Sequence, residues 1–298
     1  MDCLPIFILH DRILRPNNVT YSTPSAHSIE VFALASGSSG NATLVRAPGV
    51  NILIDAGLGV RKLASLLHGK GVDATGLSAI FVTHEHWDHT AGLGALARRC
   101  SAPVFANRST LQCCAQLDPN PFEMRELPVG DSTTIGCLSI RSFPVPHDAV
   151  EPVGYVISSG ATKITYFTDA GSANCEMKEA LAGANLAVVE SNHDVEWLRR
   201  GPYTPEMKAR VRSSTGHLSN DDCADLLAER LDNGGPMTVW LAHLSSVNNS
   251  PSLARRTVES RVRSKTRVEF SLDIALRDSP SAVWRETSRT ATVQLKLF

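Results

Sequence analysis

From Ile29 onward, short apolar runs are separated by glycine-rich turns. Ile29–Ala35, Ala42–Ala47 and Asn51–Ile54 predict three successive strands. Apolar residues at Val60, Leu63, Leu66 and Leu67 then give 60–70 one helical face. Branched and aromatic residues make Ala79–Val82 a strand. Residues 91–99 and 109–116 read as helices around a short strand at 104–106. The second half repeats this style, with strands at 137–145, 153–158, 163–167, 187–189, 237–241 and 268–272. Its helices fall at 173–181, 221–231 and 252–262. Ser219 followed three residues later by Asp222 supplies the cap of the middle one. Two strand-rich halves, each followed by helices, predict an α+β sandwich: two packed mixed sheets with helices on the outer faces.

Composition changes this picture little. The 298 residues are 43% hydrophobic, with 29 Lys+Arg against 30 Asp+Glu. That is ordinary globular chemistry, and no apolar run reaches the ~18 residues of a membrane helix. Seven cysteines, odd in number and without a C-x-x-C pair, argue for thiols, mostly buried, in a reducing cytoplasm rather than a disulfide scaffold. Leu4–Leu9, interrupted by Pro5 and lacking a basic flank, is a poor signal peptide. Residues 1–27 are expected to be a loosely ordered extension, and 28–298 a single domain. The tail beyond Trp284 carries no functional signal. Two basic runs stand out, Arg199–Arg212 and Arg255–Arg267. Such runs are usually solvated helix faces, and gain meaning only beside a site that handles phosphates.

The strand ending at Val82 runs into Thr83-His84-Glu85-His86-Trp87-Asp88-His89. In extended chain His84 and His86 point the same way, and a turn then presents Asp88 and His89. Imidazole nitrogens and a carboxylate in this density are ligands for borderline divalent metals.

With this motif the chain resembles the metallo-β-lactamase superfamily, over roughly residues 29–275. The resemblance implies an αβ/βα sandwich with a two-metal site. Further matches follow in the family's order, each at a strand end: His147 in Pro-Val-Pro-His-Asp, Asp169 in Phe-Thr-Asp-Ala-Gly and His243 in Leu-Ala-His-Leu-Ser. Carried over residue by residue, His84, His86 and His147 would hold one divalent ion. Asp88, His89 and His243 would hold the second, with Asp169 bridging. Zinc is the first choice of metal, with manganese or iron as alternatives. Asp55, in Leu-Ile-Asp-Ala-Gly, would support the metal loop from behind.

The superfamily cleaves lactams, thioesters, lactones and phosphodiesters, so fold and metal do not name the substrate. Glu190, then His217-Leu-Ser219, then His243-Leu-Ser245 resembles the order found in tRNase Z-like phosphodiesterases, although Leu218 departs from the tRNase Z form. More specifically, the motifs at 35–41, 190–194, 216–220 and 243–249 resemble the YycJ/WalJ-like branch, which implies a metal-dependent phosphodiesterase and exonuclease action on DNA. The catalytic candidates are Asp88 as general base and His217 as general acid oriented by Glu190, with support of the metal loops the rival role for Glu190. Asn192, His193, Asn220, Ser245, Asn248 and Arg212 are the substrate-contact candidates. The Ser36–Asn41 loop reads equally as a phosphate nest or a tight turn. DNA is favoured over RNA, since no counterpart of the tRNase Z substrate arm is evident. A small phosphodiester is the other substrate class, and a homodimer is compatible with the sequence. The rival functions are a glyoxalase II-type thioester or lactone hydrolase, a small-molecule cyclic phosphodiesterase, and a non-catalytic scaffold. A complete ligand set argues against the last.

Overall fold

The apolar runs pair into two seven-stranded sheets in a computed structural model that describes residues 28–286, apart from Pro119 and Pro236. The extension expected at 1–27 lies outside the described residues. The first sheet is built from β1 (Glu30–Ala35), β2 (Ala42–Ala47), β3 (Val50–Ile54), β4 (Ala79–Phe81), β5 (Val104–Ala106) and β6 (Met124–Glu126). The second contains β7 (Ser132–Ile135), β8 (Leu138–Pro144), β9 (Val153–Ser159), β10 (Thr162–Phe167), β11 (Leu186–Glu190), β12 (Met237–Ala242) and β13 (Phe270–Ile274). A last strand, β14 (Val283–Arg285), returns to the first sheet and pairs antiparallel with β1.

Each sheet is half antiparallel and half parallel. β1, β2 and β3 are antiparallel hairpin partners, and β4, β5 and β6 then add in parallel. Likewise β7 to β10 form an antiparallel meander, after which β11, β12 and β13 add in parallel. Parallel strands must be buried on both faces, and β11 (LAVVE) is accordingly buried throughout. Edge strand β7 (STTI) alternates exposed and half-buried positions.

Three apolar layers hold the assembly. Val31, Ile52, Phe81, Tyr155, Ile164 and Trp240 belong to the layer between the sheets. Leu63, Leu67, Leu96 and Leu111 pack helices on the first sheet, and Met177, Leu227, Leu231 and Val258 pack helices on the second. Each such fully buried Leu, Met or Val contributes about 1.5–3 kcal/mol of transfer free energy. This αβ/βα layering matches the expected sandwich. No helix among the described residues is long and apolar enough to cross a membrane. The described cysteines are free; Cys100, Cys114 and Cys223 are buried, whereas Cys137 and Cys175 are exposed.

Candidate active site

The chemistry-bearing residues sit where strands end. Asp55 follows β3, His84 to His89 follow β4, and His147 follows β8. Asp169 follows β10, Glu190 closes β11 and His243 follows β12. Groups at the carboxyl ends of neighbouring strands converge in the crevice outside the sheet. Asp55, Asp169 and His243 achieve this in the left-handed region, with φ of 61°, 57° and 54°. That conformation costs an L residue about 1 kcal/mol and is tolerated where function demands a sharp turn.

The metal motif is pinned from outside. Asn41 and Ala56 donate their N–H groups to the Asp88 and His89 carbonyls at 2.7 and 2.8 Å. Glycine is required at Gly57, where a Cβ would stand 1.6 Å from the Asp88 carbonyl oxygen. Asp55 lies under the motif: it accepts the Thr83 N–H at 2.9 Å and stands 2.8 Å from His89 Nδ1. That leaves His89 Nε2 facing inward, 3.1 Å from Asp169. His147 is oriented the same way, its Nδ1 3.0 Å from the Gly216 carbonyl.

Four overlapping donor groups result among the described residues. His84, His86 and His147 bring ligand atoms within 4.8 Å of one another, and so do Asp88, His89 and His243. Asp169 reaches both, with its oxygens 3.1 Å from His89 Nε2 and 3.9 Å from His147 Nε2. The other two groups are His84, His89 and Asp169, and Asp169, Glu190, His217 and His243. His84 Nε2 is buried without a hydrogen-bond partner among the described residues. A buried polar atom left unsatisfied is costly, and a metal ion would satisfy this one. Burial lowers the pKa of His84 and His147. Burial also opposes charge on His89 and His243, but carboxylates outweigh it. Asp55 and Asp169 raise His89, while Asp169, Asp88 and Glu190 raise His243 to about 10. The carboxylates thus favour positive charge beside His89 and His243, while burial keeps His84 and His147 neutral and able to ligate. The donors present fit divalent metal.

Beside these clusters, Glu190 is fully buried and spends both oxygens. Oε1 lies 2.9 Å from Nδ1 of both His217 and His243, and Oε2 accepts the N–H groups of Ala170 and Leu218. Burial would raise the Glu190 pKa, but His217 and His243 hold it down at about 2. Burial would lower that of His217, but Glu190 and Asp169 raise it. His217 keeps 19% side-chain exposure, on the cleft.

The model of the β-lactamase superfamily domain matches residues 50–244 of the chain. Exodeoxyribonuclease YycJ of Bacillus anthracis is 40% identical over 234 residues, covering 78% of this chain and 88% of that protein. The chain belongs to the metallo-β-lactamase superfamily, in its YycJ/WalJ-like branch. Exodeoxyribonuclease WalJ of Streptococcus pneumoniae is 37% identical over 235 residues, or 77% of this chain and 86% of WalJ. The solved metallo-β-lactamase fold protein YhfI from Bacillus subtilis superimposes with a TM-score of 0.66 at 18% identity. It covers 87% of this chain and all of its own.

This member of the superfamily has a cleft of about 230 Å³ over the clusters. His86, Asp88, His147, Asp169, Asn192, His217, His243 and Ser245 line it. Other substrate-contact candidates lie elsewhere. Asn220 is fully buried and bonded to Ser191 and Asn249. Asn248 is buried, its Oδ1 against Gly201. His193 is buried and bridges in β fashion to Ser219. Arg212 is exposed past the end of the helix Pro205–Val211, and it is Arg210, one half-turn earlier, that lines the cleft and pairs with Asp148 at 2.5 Å. Asn192 lines the cleft while its Nδ2 donates to the His243 carbonyl at 3.0 Å.

Sequence reasoning missed Ser38, Tyr203, Met207 and Arg210 as cleft residues. The basic run around Arg210 and the Ser36–Asn41 loop, which holds Ser38, were the signals for two of them. The Ser36–Asn41 loop turns tightly and brings Ser38 to the cleft. Its Gly37, Gly40 and Asn41 N–H groups are taken by Asn41 Oδ1, the Gly37 carbonyl and the Asp88 carbonyl. Ser36 Oγ instead accepts the His243 N–H at 2.9 Å.

Proposed function

We propose that the protein is a metal-dependent phosphodiesterase that degrades DNA from its ends, holding two divalent ions per chain and working in the cytoplasm. His84, His86 and His147 would hold one ion, and Asp88, His89 and His243 the other, with Asp169 between. Zinc fits these ligands, as do manganese and iron. When bound, such ions activate water and neutralise charge on the phosphoryl oxygens. Asp88, facing the cleft, takes the proton of the attacking water.

The observation that carries this reading is the Glu190–His217 pair at 2.9 Å. Phosphodiester cleavage in DNA expels an alkoxide, which leaves slowly unless protonated. Glu190 holds His217 Nδ1, so Nε2 is the nitrogen free to deliver that proton to the leaving oxygen. Thiolate departure from a thioester needs no such donor, which weighs against the glyoxalase II-type reading. DNA over RNA is supported by the names of the YycJ and WalJ relatives.

The test compares leaving groups. His217→Ala should lose about 10²–10⁴ in kcat on an oligodeoxynucleotide, the usual worth of a general acid. On bis-p-nitrophenyl phosphate, whose nitrophenolate leaves unprotonated, the loss should stay below about tenfold. Equal losses on both substrates contradict the assigned role.

A further inference from the structure

A second groove, of about 670 Å³, adjoins the metal cleft between the helices Trp87–Thr90 and Arg108–Leu117. Glu85, His86, Trp87, Leu93, Leu117 and Phe122 are among its lining residues, and His86 lines the metal cleft as well. The two cavities therefore meet at the His86 side chain. Among the described residues, the three most exposed large hydrophobic side chains are Trp87 at 69%, Leu117 at 67% and Val150 at 59%. The first two line this groove, and the Val150 N–H donates to Glu85 Oε1 at 2.9 Å. Exposed apolar surface gathered beside a catalytic cleft marks a binding face.

The Trp87 backbone is fixed. Its carbonyl accepts the Ala91 N–H at 2.9 Å inside the short helix that carries Asp88 and His89. The indole thus stands out from a rigid mount. Glu85 adds a directional feature: Oε1 is held by Val150, whereas Oε2 is buried with no hydrogen-bond partner among the described residues. Apart from His86, the only ionisable groups of the lining that carry charge are the carboxylates Glu85 and Asp118. Asp118 is paired with Arg98 at 2.9 Å, which leaves Glu85 as the uncompensated charge; a flat, apolar ring bearing N–H donors suits such a wall better than a phosphate. The basic side chain, Arg210, lines the metal cleft instead.

We propose that this groove is a nucleobase subsite. It takes the base of the nucleotide next to the scissile phosphodiester, stacked on Trp87, with a small rotation of the Glu85 side chain turning the unpartnered Oε2 to accept an N–H of the base. The inference rests on the phosphodiesterase reading above and sharpens it. A base inside a duplex is stacked on both faces, so the base that stacks on Trp87 belongs to a single strand or to a duplex end, in keeping with action from the ends. Stacking on a protein aromatic is worth about 1–3 kcal/mol per base.

The test uses metal-loaded full-length protein on two substrates, a single-stranded oligodeoxynucleotide and bis-p-nitrophenyl phosphate, which has no base. Trp87→Ala should lower the ratio of oligonucleotide to bis-p-nitrophenyl phosphate kcat/KM by about 5- to 100-fold. Trp87→Phe, which keeps a stacking face, should restore most of it. The dissociation constant of the same metal-loaded protein for a fluorescein-labelled oligonucleotide made uncleavable by methylphosphonate linkages should weaken in parallel in Trp87→Ala. An unchanged ratio, or equal loss on both substrates, overturns the subsite. So does a change of oligomeric state on sedimentation with unaltered oligonucleotide binding, which would assign the face to a second copy of the chain. If the wild-type protein cleaves neither phosphodiester, the functional reading fails, and the binding measurement alone still decides the groove.

Discussion

Asp55 shows how much of the site is decided by a side chain that never faces the cleft. Its carboxylate, fully buried, grips the Thr83 N–H and His89 Nδ1 and so fixes which His89 nitrogen looks inward. Such supporting partners are typically worth about 10–100-fold in metal affinity. Asp55→Asn is therefore expected to weaken the ion held by Asp88, His89 and His243 by about 10–100-fold in direct competition between zinc-loaded protein and a chelating dye. Unchanged affinity would show that His89 orients itself. At this scale the metal-type residues were legible, because His and Asp at strand ends have few other reasons to cluster. The neighbours were less so. Arg212 and Arg210 differ in sequence only by position, and helix rotation decides which one reaches the cleft. Asn220 and Asn248 look like polar contact residues, yet the fold buries both, and Asn220 is spent bracing the loop after Glu190.

Among the elements, long periodic segments were predicted to within a few residues, whereas short or polar ones were missed. The helices Val195–Arg200 and Pro205–Val211 are too brief to show a periodicity, although the second brings Met207, Arg210 and Val211 to the cleft. Strands β6 and β14 have three residues each and β7 four, so pairing with a neighbour, rather than intrinsic pattern, makes them strands. The basic run at 255–267 is a helix face. Arg261 and Lys265 pair with Asp221 and Asp225, and Arg255 with Glu259 and Asp273. The N-cap is as the sequence suggested, with Ser219 Oγ accepting the Asp222 N–H at 3.1 Å, while the Asp222 carboxylate takes the Ser219 hydroxyl proton rather than its backbone N–H. Ser219→Ala should cost about 1 kcal/mol, a fall of about 2–4 °C in Tm for a domain of this size. A Tm unchanged within error would mean that the helix start is held by its neighbours alone.

For the whole molecule, two half-parallel sheets bring strand ends from both halves of the chain to one crevice, and the sequence showed this as strands followed by chemistry. What it left hidden was the cover: the helices around 195–211 and the apolar groove beyond His86 depend on packing between segments far apart in the chain. The direct test of the central claim joins metal content to cleavage. Elemental analysis of the purified protein should find two divalent ions per chain. The same preparation should release mononucleotides from end-labelled DNA, stop on chelation and resume when zinc or manganese is restored. Cleavage that survives complete metal removal, or a fully metal-loaded protein that leaves DNA intact, would contradict the account.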